Sequence, residues 1–430
     1  MTSASSSSAS ASDVGRRRAA MTFIMVTVLI DMMSIGLIVP VLPALVGSFT
    51  ASQTEQAWWY GAVTFAFSAA NFISSPILGA LSDRFGRRPV LLVGFCALSL
   101  SFFVTAIATA LWMLIVVRLF SGAMQSNASV ANAYVADITA PADRARRFGL
   151  LGAMFGLGFI LGPVMGGLLG AIDLRLPFFA AGSLALINLL YGWFVLPESL
   201  PLERRRPFSW RAALNPIAAL AELGRLGGVG SLVAVVAATA LSQFVLYSAW
   251  VLYTTFKFGW GPQQNGWSLF TVGCMSALVQ GVLLGRLLKR FSPQRLAIAG
   301  LISSTLAYLA WGAASQGWMM YVVILCNVLG FTVAASLQSI ISGAADATTQ
   351  GRTMGAVSSV QSLMAVIAPL IGAPLLGIVS NLPRGDWRIG APFYFCALLQ
   401  GTALLLARRH FRRAPRLPLG PEAAAAAPRA

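Results

Sequence analysis

Charged residues are scarce in this chain of 430 residues: they make up 10% of it, whereas 57% of the residues are hydrophobic. A soluble domain carries about a quarter charged residues and under half apolar ones. The shortage of charge therefore excludes soluble enzymes, secreted disulfide scaffolds and disordered regulators. Apolar runs of about twenty residues recur along the chain, and that length spans a bilayer as a helix. The composition predicts an all-α membrane protein with many spans.

Acidic residues and histidine are scarcer still, with 13 Asp and Glu and one histidine, His410. The sequence holds no histidine cluster, no paired carboxylates within the apolar runs and no nucleophile beside a plausible base, so we expect no enzyme and no metal site. Phosphate-loop signatures are missing too, which disfavours ATP-driven export. We expect no cofactor. The cysteines lie far apart in apolar runs, and we interpret all four as core residues: Cys96, Cys274, Cys326 and Cys396.

Basic residues are the one plentiful charge, because 30 Lys and Arg give a net charge of +17. Such a charge can indicate nucleic acid as a partner. However, all but five of these residues lie in the tails or in every second loop, the exceptions being Arg118, Arg175, Lys257, Arg384 and Arg388. This asymmetry follows the positive-inside rule and predicts that both termini lie in the cytoplasm. We therefore expect the chain to be embedded in a lipid bilayer and not to bind nucleic acid.

The apolar runs predict twelve transmembrane helices in two six-helix pseudo-repeats. The predicted spans are 21–47, 57–80, 89–109, 111–136, 147–170, 176–196, 229–256, 266–288, 296–315, 317–343, 353–380 and 388–408. Residues 78–85 align with residues 284–291, 206 positions later, and each octet follows the second span of its half. Such halves are typical of secondary transporters. The predicted segments are a disordered cytoplasmic tail 1–20, a bundle 21–196, a cytoplasmic linker 197–228, a second bundle 229–408 and a tail 409–430.

The short loop after the second span carries glycines and several ions: Gly79, Asp83, Arg84, Gly86, Arg87 and Arg88. An ordinary positive-inside loop accounts for the arginines but not for Asp83, because acids contribute little to topology. A carboxylate there can bind a helix N-terminus or an arginine. The pattern resembles the loop signature of the major facilitator superfamily, and this resemblance implies a cytoplasmic gate between the halves.

The fifth span repeats small residues at Gly158, Gly162, Pro163, Gly166 and Gly167. Close helix packing and a functional motif explain this spacing equally well. The segment 162–167 nevertheless resembles the signature of facilitator antiporters, which implies export and not uptake.

Asp31 is the only acidic residue that we place within a span. A carboxylate in hydrocarbon costs several kcal/mol unless it faces a polar cavity, pairs or binds a proton. Asp31 is therefore either a proton carrier near neutral pH or a permanently paired structural acid. Segment 30–43 resembles the first span of tetracycline/proton antiporters, and this resemblance favours the proton carrier.

Arg118 is the matching cation in the fourth span, and Gln125 and Asn132 follow on the same helical face. We expect this face to line water or substrate, although an arginine can also snorkel to the headgroups. The Arg118–Gly122 spacing resembles a facilitator signature linked to proton transfer. We therefore predict that Asp31 and Arg118 couple protons to transport.

Polar residues of the second half complete a candidate substrate cavity. Besides Gln125 and Asn132, the predicted cavity residues are Gln243, Tyr247, Gln280, Asn327 and Gln338. The neighbouring Trp250 is ambiguous, because aromatics near a span end often form an interfacial belt.

The resemblance to tetracycline/proton antiporters covers most of the chain, but three ionisable landmarks of that family are replaced. Its Asp, His and Asp correspond here to Ser101, Ser276 and Ser304. The resemblance implies a monomeric antiporter of the bacterial inner membrane that exchanges protons for a small amphipathic drug, tetracycline-like or other. The serines argue for a neutral or differently charged drug. An uptake porter for a small metabolite and a non-transporting sensor with the same fold remain the alternatives.

Overall fold

The computed structural model of the chain describes residues 5–125, 127–140, 143–205, 207, 230–344 and 350–413. Within these ranges the regular structure is helical and includes no strand, which confirms the predicted all-α fold. Residues 208–228 of the predicted linker and residues 414–430 of the predicted second tail lie outside the described residues.

The described residues of the first half form eight helices. They are α1 (Ser5–Ile38), α2 (Leu42–Gly47), α3 (Gln53–Phe85), α4 (Arg87–Ala106), α5 (Leu111–Met124), α6 (Asn127–Ile138), α7 (Arg144–Ile172) and α8 (Leu176–Val195). A 3₁₀ turn, Leu202–Arg204, follows them.

Nine helices lie within residues 230–344 and 350–413 of the second half. They are α9 (Gly230–Phe258), α10 (Pro262–Leu278), α11 (Leu284–Arg290), α12 (Pro293–Ala313), α13 (Gly317–Cys326), α14 (Val333–Ala344), α15 (Gln350–Ile367), α16 (Pro369–Val379) and α17 (Ala391–Arg413). A π-helical turn, Val279–Leu283, joins α10 to α11. Two 3₁₀ turns, Gly330–Thr332 and Trp387–Gly390, precede α14 and α17.

Ten of the described helices are long and apolar enough to cross a membrane, and α13 with Gly330–Gly343 forms an eleventh span bent by 55°. The predicted number was twelve. The missing span is the fourth, where α5 and α6 have 14 and 12 residues and are separated at Gln125. Each piece is shorter than the roughly 20 residues that a bilayer requires. The fourth span of each half is therefore broken.

The predicted disordered tail differs from the structure, because α1 begins at Ser5. Residues 5–20 are mostly Ser, Ala and Arg and contain no proline, so nothing in their sequence stops a helix from extending back from the first span. The apolar part of this helix begins at Met21.

The glycines of α7 allow it to pack tightly against α1. A Cβ atom at Gly162 would lie 2.7 Å from the Met33 carbonyl oxygen, and one at Gly166 would overlap the Leu37 carbonyl. A Cβ atom at Gly158 would lie 2.8 Å from the Leu29 carbonyl oxygen. These glycines thus hold the first half together through close backbone approach.

The two halves meet at one end of the bundle, which we call the far end and define by residues 48–52 and 380–390. There Thr54 Oγ1 and Ser380 Oγ share a hydrogen bond of 2.8 Å. A Cβ atom at Gly61 would lie 3.1 Å from Ala373 Cβ, and one at Gly167 would lie 2.7 Å from the Pro262 carbonyl oxygen. The helix pairs α3–α16 and α7–α10 therefore form the seal between the halves.

The opposite end, which we call the linker end, is defined by residues 79–89 and 197–205. Glycines on that side of α3, α7, α11 and α15 have empty space at the Cβ position, namely Gly79, Gly152, Gly285 and Gly355. The close contacts described between the halves lie toward the far end, and the space beside these glycines agrees with halves that are apart at the linker end.

Candidate functional site

A network of ions lies at the linker end of the first half. Arg87 Nη1 is 2.6 Å from Asp83 Oδ1, and Arg87 Nε is 3.1 Å from Asp137 Oδ2. Arg87 Nη1 also donates a hydrogen bond of 2.6 Å to Ser82 Oγ. The network fixes the α3–α4 hairpin to the end of α6.

Glu198 completes this network, although sequence reasoning assigned it no role. The backbone N–H groups of Arg87 and Arg88 donate to its two carboxylate oxygens at 2.8 and 3.2 Å. A negative charge at a helix N-terminus is stabilised by the helix dipole, so Glu198 caps α4. Gly86 makes room for it, because its φ of 104° suits glycine and the Glu198 carboxylate occupies the place of a Cβ atom.

The predicted gate motif does not bridge the halves in this structure. Among the described residues, Asp83, Arg87 and Arg88 bind partners of the first half, and the Asp83 side chain is 44% exposed. Arg84 stacks its guanidinium on the neighbouring Phe85 ring, 5.1 Å from the centroid. This arrangement agrees with halves that are apart at the linker end.

Asp31 lies inside the first bundle, not between the two halves. It is 4% exposed. It lines a small pocket whose other residues are Thr27, Val28, Met32, Leu91, Phe95, Ala131 and Phe155. These residues come from α1, α4, α6 and α7. The carboxyl group therefore sits in a largely apolar pocket, where Thr27 Oγ1 is buried without a hydrogen-bond partner.

Arg118 lies between α5 and α3, away from the Asp31 pocket. It is 8% exposed, and its Nε and Nη2 atoms are buried without a hydrogen-bond partner. Its guanidinium lies over the Phe67 ring, 5.9 Å from the centroid. Among the described ion pairs none includes Arg118, so the two predicted coupling residues are not paired with each other. Two of its three guanidinium nitrogens are thus shielded from water, which disfavours a snorkelling arginine.

The two breaks in the fourth spans coincide with predicted cavity residues. Gln125 ends α5 in a non-helical conformation, and its carbonyl oxygen accepts a hydrogen bond of 2.5 Å from Asn71 Nδ2 of α3. Asn327 ends α13, and its Oδ1 accepts a hydrogen bond of 2.9 Å from Ser303 Oγ of α12. Interrupted helices at corresponding positions of two repeats are a feature of transporter binding sites.

The other predicted cavity residues are partly or largely exposed. Asn132, Tyr247, Gln280 and Gln338 are exposed, and Gln243 is half-buried. Gln280 lies in the π-helical turn and donates a hydrogen bond of 2.6 Å to Ser276 Oγ. Trp250, in contrast, is 3% exposed and packs edge-on against Trp311, so it belongs to the core and not to an interfacial belt.

The three serines at the replaced positions are neutral, and two of them are buried. Ser101 is 3% exposed and donates to the Ala97 carbonyl oxygen of its own helix at 2.6 Å, and Ser304 is 4% exposed. Ser276 accepts the hydrogen bond from Gln280. None of these positions supplies a charge.

A protein-family model described as Major Facilitator Superfamily matches residues 24–369 and, in a second overlapping match, residues 232–430. The chain belongs to the major facilitator superfamily. The tetracycline resistance protein class C of Escherichia coli is 36% identical over 380 residues, which are 88% of this chain and 95% of that protein. The tetracycline resistance protein class D of Salmonella ordonez is 34% identical, over 89% of this chain and 95% of that protein. Multidrug resistance protein 2 of Bacillus subtilis (strain 168) is 26% identical and covers 88% and 91%.

Solved structures show the same fold. A bacterial homolog of the human lysosomal transporter Spinster, in an inward-facing and unoccupied conformation, superposes with a TM-score of 0.72 at 15% identity, over 94% of this chain and 99% of that chain. The human organic anion transporter MFSD10 gives a TM-score of 0.68 at 24% identity, over 91% and 99%. This facilitator is thus a multi-pass membrane transporter, and its relatives support a transporter of drugs.

Proposed function

We propose that this facilitator is a proton-coupled antiporter, which exports a small amphipathic drug across the bacterial inner membrane by alternating access. One observation carries the proposal: the carboxyl group of Asp31 is 4% exposed in an apolar pocket of a transmembrane bundle. An ionisable side chain at membrane depth is costly and marks a proton relay or an ion pathway. The names of the relatives support a drug as the cargo.

The positive-inside rule places the linker end in the cytoplasm, together with both termini. The conformation described above is then open to the cytoplasm, where drug enters and Asp31 releases its proton. In the opposite conformation the linker end closes, and the exposed Asp83 is available to bind the second half. Each monomer holds the complete set of elements that this cycle needs.

Asp31 carries the proton in this proposal, and Arg118 takes part in the coupling. The substrate path is lined by the predicted cavity residues Gln125, Asn132, Gln243, Tyr247, Gln280, Asn327 and Gln338. Inward movement of one proton down a potential of 100 mV releases about 2.3 kcal/mol, which sustains a drug gradient of more than tenfold.

Everted membrane vesicles test the proposal. Respiring vesicles build a proton gradient, a panel of drugs that includes tetracyclines is added, and the drug-induced release of protons is recorded with a pH-sensitive dye. At least one compound should dissipate the gradient with the native chain and should do so at least tenfold more weakly with Asp31→Asn. Glu203→Gln removes one exposed negative charge and serves as the matched control.

Each contrary outcome has a definite meaning. Equal drug accumulation by the Asp31→Asn and native vesicles would show that the carboxyl group is structural. Drug movement in the opposite direction would favour an uptake porter. No response to any compound would favour a non-transporting sensor.

A further inference from the structure

Arg118 and Tyr60 are buried donors at the α3–α5 interface. Arg118 of α5 lies over the Phe67 ring of α3, and Tyr60 lies on the same face of α3 as Phe67, two turns nearer the far end. Gly122 brings the two helices together, because a Cβ atom there would overlap the Phe67 carbonyl oxygen. The donors therefore lie within a tight, aromatic contact.

Two N–H groups of Arg118 have no acceptor, because Nε and Nη2 are buried without a hydrogen-bond partner. Tyr60 is 6% exposed, and among the described residues the structure shows no hydrogen bond from its hydroxyl group. Burial of an unpartnered guanidinium is strongly unfavourable unless something binds it. These N–H groups therefore suit a binding site in which a ligand supplies the hydrogen-bond acceptor.

Acidic side chains of the described residues do not fill this place. Asp31, the buried acid of the first half, lines the separate cavity among Leu91, Phe95 and Ala131. The ion pairs at the linker end engage Arg87, not Arg118.

The position of the donors fits the path of a transported molecule. Arg118 and Tyr60 each lie seven residues, or about 10 Å, from the far-end start of their helices. Gly61, next to Tyr60, packs against Ala373 in the seal between the halves. The two donors are thus beside the closed end of the space that opens toward the linker end.

We propose that Arg118 and Tyr60 form an anion-binding site that takes the acidic group, such as a carboxylate, of the exported compound, while Phe67 contacts its apolar body. This inference names the substrate class and rests on the proposed export function. The planar guanidinium suits a carboxylate, because two parallel N–H groups can donate to its two oxygens.

The site has a consequence for the charge that moves in each cycle. Export of a monoanion in exchange for one proton carries two positive charges inward, so the membrane potential drives it directly. Export of a monocation in exchange for one proton carries no net charge. An acidic substrate therefore gains twice the potential energy that the proton alone supplies.

Binding of two dyes to the purified full-length protein tests the proposal without a proton gradient. Rhodamine 110 carries a carboxylate, and rhodamine 123 is its methyl ester, so the pair differs only in the acidic group. Fluorescence anisotropy should show that the native protein binds rhodamine 110 at least tenfold more tightly. Arg118→Gln should abolish this preference, Arg118→Lys should weaken it, and Tyr60→Phe should reduce it about threefold.

Arg286→Gln removes an exposed arginine at the linker end and should leave the preference unchanged. Equal binding of the two dyes by the native protein, no binding of either, or a preference that survives in Arg118→Gln would each overturn the proposal. If Arg118→Gln does not fold, the Arg118→Lys and Tyr60→Phe proteins decide. A dye preference that depends on Arg118, combined with no proton release in vesicles, would sustain the anion site and refute proton-coupled export.

Discussion

The two halves share one helical plan but differ in where they bury charge. Among the described residues the first half buries Asp31, Arg87 and Arg118, whereas the second half buries only Lys257. Lys257 Nζ donates to the Gly312 carbonyl oxygen at a helix end, which is a structural use of charge. The second half instead buries an aromatic cluster around Trp250 and Trp311. The difference indicates that ion chemistry belongs to the first half, while the second half supplies a rigid wall.

The largest expected effect comes from the contact that holds the first half together. Gly166→Ala places a Cβ atom against the Leu37 backbone of α1, and backbone cannot move aside as a flexible side chain can. Overpacking of this kind costs about 1–3 kcal/mol, so the melting temperature of the purified protein should fall by several degrees. Gly152→Ala on the same helix meets no atom within 4 Å and is the matched control. Equal melting temperatures for the two variants would contradict this account of the packing.

The ion network of the first half should contribute more to the stability of the protein than the charges of the aligned octet in the second half. Arg87→Ala leaves Asp83 and Asp137 without their shared cation, and we expect the free energy of unfolding to fall by about 2 kcal/mol, less than for fully buried pairs because both acids are partly exposed. Lys289→Ala, in the aligned octet of the second half, removes an exposed charge and should change it by under about 0.5 kcal/mol. Thermal melts in detergent measure both. A comparable loss from Lys289→Ala would remove the distinction between the halves.

A change in the second half should alter drug preference and not proton coupling. Gln280→Ala removes a polar group from the π-helical turn, a type of irregularity that is frequent at functional sites. We expect KM for the exported drug to change a few-fold, with the number of protons released per drug unchanged. Cys274→Ser, an exposed change on the same helix, should leave KM as it is. Loss of proton release in Gln280→Ala would mean that coupling extends into the second half.

The smallest effect is expected at the far end, where Arg388 binds Asp386 through hydrogen bonds of 2.7 to 3.1 Å. These bonds hold the pKa of the Asp386 carboxyl below its ordinary value of 3.8. A lowered pKa means that the stabilisation is present above the pKa of the unfolded chain and disappears only as the pH falls through the lower folded value. Asp386→Asn should therefore change the melting temperature equally at pH 6 and pH 8. If the effect of the substitution differed between pH 6 and pH 8, the pKa of Asp386 would not be lowered as described.

Apolar runs were enough to predict the all-helical fold and the membrane spans other than the fourth. The break at Gln125 was not predictable in this way. The Gln125 carbonyl oxygen accepts a hydrogen bond from Asn71, 54 residues earlier, and hydropathy does not register a carbonyl that leaves the helix ladder. The Glu198 cap likewise joins residues 111 positions apart.

Some features of the candidate site could likewise be predicted from the sequence, and others could not. Asp31 and Arg118 stand out in the sequence because a charge within an apolar run is an anomaly that needs no neighbours to be seen. Their separation into two different helix interfaces, and the lack of an acceptor for Arg118, depend on how α3, α5 and α7 pack. Exposed amides such as Gln280 and Gln338 carry no comparable signal, because polar residues on a helix are common.

The central claim is that the proton is carried in the first half, at Asp31. The most direct test is to add a compound that responds in the vesicle assay to the purified protein in weakly buffered solution and to count the protons released on binding. The account predicts release from the native protein and from Glu203→Gln, and none from Asp31→Asn. Release from Asp31→Asn in the native amount, with the drug still bound, would contradict it.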